Sequence, residues 1–111
     1  MSKAAHTQDW ALAEFGSANL GDARRDVRLV ELARQLGERP EASLPQALED
    51  AAALKSAYRF FDNADIAHEK ILAPHVASSI ERMRAQELVL AVHDTTFIDY
   101  SSHPHTEGLG P

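Results

Sequence analysis

Three arginines crowd the stretch "GDARRDVRLV": Arg24, Arg25 and Arg28. If a helix opens after Asp22, they stand in its first turns, against the partial positive charge of a helix N-terminus. A sequence that accepts this cost can be serving an external anion. Arg24 and Arg28 share a face at i, i+4, and free amides at the same end would add donors for a phosphate. The competing arrangement is local: the arginines pair with Asp22, Asp26 and Glu31 on a solvated face. Lys55 and Arg59 form a second i, i+4 pair, with Ser56 on the same side. They would meet a DNA groove if their helix is the second of a helix-turn-helix; otherwise they are ordinary surface cations.

A different chemistry is suggested by "LVLAVHDTTFIDY", where an apolar run reaches Asp94. Open α/β sheets build their sites at the C-terminal ends of buried strands. A carboxylate there can hold Mg²⁺ when others converge on it. The alternative is that Asp94, Thr95 and Thr96 cap a turn with their own side chains. His93, His103 and His105 make a weak zinc set, since His103 and His105 lack helical ligand spacing and the chain has no cysteine. Tyr58, Phe60 and Phe61 could stack on bases, but their spacing assigns them to a core. Trp10 is expected to be a packing residue.

These residues need elements to position them. "TQDWALAEFGSANLG" predicts a short helix ended by Gly16. Asp22 is a suitable N-cap for a helix over 23–36, ended by Gly37 and Pro40. "EASLPQALEDAAALKSAYRFFDNADI" predicts two short helices, capped by Ser43 and Asp50, with Pro45 in the first turn of the earlier one. In the second, Leu54, Tyr58 and Phe61 form the predicted buried stripe. This pair has the outline of a helix-turn-helix. A longer helix is predicted over 67–84, kinked or broken near Ala73 by Pro74. The period then changes. The run Leu88 to Val92 reads as a buried strand, and "TFIDY" as a second one. Two strands alone are marginal in water, so they read as the opening of a larger sheet.

Composition sets outer bounds. The chain has 111 residues, suited to one domain, with 44% hydrophobic and 25% charged residues. The net charge of -6 argues against a uniformly basic nucleic-acid coat but not against a local basic face. The absence of cysteine excludes a disulfide framework. "MSKAAHTQDW" contains no apolar signal-peptide core, and no segment approaches the length of a membrane span.

Three stretches, in order, carry a family resemblance: "LGDARRDVRLVELARQL", "KSAYRFFDN" and "LAVHDTTFIDYSSHPHTEGLGP". Together they resemble the N-terminal region of the IS4-type transposases, the group that includes the Tn5 transposase. The resemblance spans about residues 9 to 111. It implies a mostly α fold: a helical domain over 1–84 that binds double-stranded DNA at transposon ends, then residues 85–111 as the first strands of an RNase H-like catalytic domain. It assigns end binding to Arg24, Arg25, Arg28 and Arg59, to which helical facing adds Lys55. It matches Asp94 to the first carboxylate of an Asp-Asp-Glu triad that holds divalent metal, Mg²⁺ in a full-length transposase. The second aspartate and the glutamate have no counterpart among these 111 residues. The chain is therefore expected to bind DNA, to need no cofactor of its own and not to act as an enzyme. Any oligomer is expected only in a full-length synaptic complex. The implied location is the bacterial cytoplasm. The competing function is a small helical protein-interaction module without DNA binding.

Overall fold

The computed structural model describes residues 9–110, and five helices follow one another within them. These are α1 (Trp10–Phe15), α2 (Ala23–Glu38), α3 (Leu44–Ala47), α4 (Ala51–Phe61) and α5 (His68–Arg84). Residues 1–8 and 111, the outer ends of the two expected domains, lie outside the described residues.

Most helix starts are set by side chains that occupy otherwise unpaired amides. Asp9 accepts from the Leu12 amide, Asp22 from Arg24 and Asp50 from Ala52. Ser43 and Gln46 cap α3 reciprocally, each side chain taking the other residue's amide. Pro45 sits in that first turn, where its missing N–H costs nothing. Gly37, expected to stop α2, instead lies inside it. A Cβ at Gly37 would come within 2.4 Å of Trp10 Cζ2. The glycine thus lets the indole lie across the C-terminal end of α2, and Trp10 packs as expected while keeping one face in solvent.

Leu20, Leu29, Leu32, Leu48, Ala57 and Phe60 form the centre of the core, with Phe15, Leu44, Leu54, Ile66 and Ile71 packed against it. Helix α2 touches α1, α3 and α4, and α5 lies along α1. The buried stripe of α4 differs from the predicted one. Ala57 and Phe60 are buried with Leu54 beside them, whereas Tyr58 and Phe61 are 50% and 55% exposed. The reason is steric. Ala57 allows close backbone approach to the core, and the large Phe60 ring fills the space one turn further on. A tyrosine in that contact would hold the helices apart. Phe60 and Phe61 still touch, edge to face, with centroids 5.4 Å apart.

The break expected near Ala73 does not occur. Helix α5 runs through Pro74, which is buried in a hollow shared with Ser17, Ala18 and Asn19 of the α1–α2 connection. Packing of the ring there offsets the hydrogen bond that proline removes. The same helix is clasped by Glu14 of α1, whose carboxylate accepts from both Arg82 guanidinium nitrogens, at 2.7 and 2.9 Å, and meets His75 Nδ1. The His75 ring stacks on Phe15. Leu72, Val76, Ile80 and Met83 of α5 remain exposed.

The predicted strands are not formed: among the described residues there is no strand at all. Leu88 to Val92 and Phe97 to Tyr100 are irregular and exposed. The opening of an RNase H-like sheet is therefore corrected to an unpaired segment. A strand needs a neighbour for its amides and carbonyls, and among the described residues none is paired with this segment. The fold is mostly α, as expected, and it is the helices that position the candidate site.

Candidate nucleic-acid interface

The turn before α2 is built by its own motif. Leu20 is buried, and Gly21 takes a positive φ of 86°, a conformation that favours glycine. The backbone of Leu20 is then held from both sides by the first turns of α2. Its amide donates to Asp26 Oδ1 at 2.8 Å, and its carbonyl accepts from Arg25 Nη1 at 3.1 Å. Arg25 also lies 3.6 Å from Asp65, just beyond α4. It therefore braces α2 to both flanking segments, with less of its guanidinium free for an external ligand. The brace was not read from the sequence, where Asp26 looked like a surface partner for the arginines. The signal was present in the spacing of "LGDARRD", once Gly21 is seen to turn Leu20 back toward the helix.

The other cations are less committed. Arg24 is 91% exposed and forks onto Asp22, with Nη2 to Oδ2 at 2.9 Å. That contact, together with the Arg24 amide, holds the Asp22 carboxyl at about 2, below its ordinary 3.8. Arg28 pairs with Glu31 at 3.2 Å, one turn along. The local pairing considered from sequence thus occurs for Asp22 and Glu31. Such solvated pairs are weak and screened by salt, so they do not bar an incoming phosphate. Lys55 and Arg59 are exposed and make no ion pair among the described residues. Most of the amides expected to be free at the start of α2 are already used. Asp22 takes the Arg24 amide through its side chain and the Arg25 amide through its carbonyl. An anion there would be held mainly by side chains.

The packing of α4 on α2 brings these residues together. Arg24, Arg25, Arg28 and Arg59 line one hollow of about 370 Å³, with Asp22, Ser56 and Asn63 at its walls. Arg28, Lys55, Ser56 and Arg59 line an adjoining hollow of about 410 Å³ with Asp50. All five cations singled out in the sequence thus border two joined concavities. Ser56 and Asn63 add neutral donors between the arginines. The arrangement can hold oxyanions spaced along a backbone, which one isolated cation cannot do.

Asp94 lies elsewhere. Its Oδ1 accepts from the amide of the next residue, Thr95, at 2.8 Å, in an irregular stretch that contains no turn. Asp99 is likewise engaged by the amide and hydroxyl of Ser101. Among the described residues no group of three His, Asp or Glu side chains is placed to hold a metal ion, and His93, His103 and His105 do not form one.

The transposase DNA-binding family matches residues 7–66, more than half of the chain, and the protein belongs to that family. The matched span contains α1 to α4 and all five cations. Membership supports a DNA-binding role in transposition. No helix among the described residues is long and apolar enough to cross a membrane.

Proposed function

We propose that this protein binds duplex DNA at transposon ends, as the end-recognition portion of a Tn5-like transposase of the IS4 type. The observation that carries the proposal is the shared hollow, where Arg24, Arg25 and Arg28 of α2 face Arg59 of α4. In this reading Arg24, Arg28, Lys55 and Arg59 contact phosphates, and Arg25 divides its donors between DNA and the α2 brace. Phosphate contacts of this kind set register and supply affinity that falls with salt. The helical portion that recognises DNA extends through α5 to residue 84. Residues 85–111 belong with the catalytic portion of a bacterial, cytoplasmic transposase. Oligomers form only when a full-length protein pairs two ends.

Asp94 is the first carboxylate of the catalytic triad in this proposal, on the strength of the family resemblance. It would serve Mg²⁺ only alongside further carboxylates, because a two-metal site needs several converging ligands. These 111 residues therefore bind DNA and neither nick nor join it, and Asp94→Ala leaves binding unchanged. The experiment is equilibrium binding to duplex DNA over a range of salt concentrations. Steep loss of affinity with rising salt supports the proposal. Absence of binding to any duplex at low salt would favour the protein-interaction reading instead.

A further inference from the structure

The exposed side of α4 carries more than cations. Ala51, Leu54, Tyr58 and Phe61 form an apolar strip along it, and Lys55 and Arg59 border the same surface hollow of about 670 Å³. Half the surface of each of Tyr58 and Phe61 remains in solvent. Leaving two large aromatic rings side by side in water is unfavourable unless something covers them. The Phe61 ring is also held in place, edge to face against the buried Phe60. It presents a fixed surface, so little ordering is needed on binding.

We propose that Tyr58 and Phe61 contact the apolar parts of the same DNA, its base edges and deoxyribose rings, and so supply affinity that does not come from phosphates. This deepens the DNA-binding reading above and rests on it. Two observations select DNA as the occupant. The strip is continuous with the basic hollows, since Arg59 borders all three and Lys55 borders two. The cations beside the rings make no ion pair among the described residues, whereas the one acid in the strip, Asp62, stands at its C-terminal end. A polyanion with apolar faces between its charges matches rings placed between cations. The deoxyribose rings and base edges that a duplex exposes are apolar surface an aromatic ring can cover, and the thymine methyl accepts apolar contact in the major groove.

The test separates apolar from ionic contact through salt dependence. A duplex is first selected from a random-sequence pool by the wild-type chain; failure to enrich any duplex would overturn the DNA-binding reading itself. Tyr58→Ala and Phe61→Ala are then titrated against the selected duplex at several salt concentrations, with Arg59→Ala for comparison. Because both rings are half-exposed, each variant is expected to melt near the wild-type temperature. Each aromatic variant should lose affinity, by roughly tenfold for Tyr58 from the apolar area it would bury, with the slope of log affinity against log salt unchanged. Arg59→Ala should reduce that slope by about one unit. Tyr58→Phe should restore most of the loss. Wild-type affinity in the Tyr58→Ala/Phe61→Ala double variant would overturn the proposal. So would a loss matched by an equal fall in the salt slope. Self-association that disappears in the double variant while DNA binding persists would assign the strip to contact between copies of this chain.

Discussion

The α1–α4 region and the segment after α5 are both rich in apolar residues, yet only the first builds a core. In α2 and α4, apolar side chains repeat at helical spacing and close on each other around Leu20, Leu32, Leu48 and Phe60. In the segment after α5, Leu90 and Val92 remain 76% and 84% exposed, although the run around them is the most continuously apolar in the chain. A helix satisfies its own backbone and can then offer a face to whatever lies nearby. A strand cannot, because its backbone hydrogen bonds are all made to neighbouring strands. Apolar sequence therefore produces structure at once in the first region and only conditionally in the second.

This contrast makes measurable differences between residues of the same type. Phe60 and Phe61 are adjacent in sequence, but only Phe60 is buried. Phe60→Ala should cost about 3–5 kcal/mol in chemical denaturation. Phe61→Ala should cost a small fraction of that. Equal losses would mean that the core face of α4 is drawn wrongly.

The clasp between α1 and α5 should titrate. Arg82, and secondarily His75, hold the Glu14 carboxyl at about 2, below its ordinary 4.5. A lowered carboxyl pKa adds stability that is fully present above pH 4.5 and is lost as the pH falls toward 2. Acid should therefore weaken the α1–α5 contact across that window. Glu14→Gln should already be weaker at neutral pH and should show a flatter acid dependence. Stability profiles of the two proteins that coincide from neutral pH to pH 2 would show that the clasp contributes nothing.

The smallest effects belong to the segment after α5. Leu90→Ser and Val92→Ser should each leave the unfolding free energy of the chain within about 0.5 kcal/mol, as exposed positions do. Larger losses would show that the run is covered in solution.

The helices were largely legible in the sequence because their signals are local. Asp22, Ser43 and Asp50 cap where their side chains predict, and the five cations were singled out by their clustering, helical spacing and the family resemblance. What was not legible depended on tertiary packing. The choice of Phe60 over Phe61 for the core turns on Ala57, whose small size matters only once a neighbouring helix approaches. Arg25 looked like its neighbours Arg24 and Arg28 until Leu20 was seen to fold back onto it. The Glu14–Arg82 contact joins residues too far apart in sequence for spacing to reveal. The strands failed for the complementary reason: the run is apolar, but a pairing partner is not a property of the run, and here the run is neither a strand nor buried.

Whether the joined hollows of α2 and α4 hold DNA phosphates is decided by the salt dependence of duplex binding in the Arg28→Ala/Arg59→Ala double variant. Both residues border both hollows and neither forms the α2 brace, so the variant should fold normally. Loss of two phosphate contacts should weaken binding at low salt and reduce the slope of log affinity against log salt by about two units, near one for each contact. A correctly folded double variant with the affinity and slope of the wild type would contradict the assignment and place the DNA elsewhere.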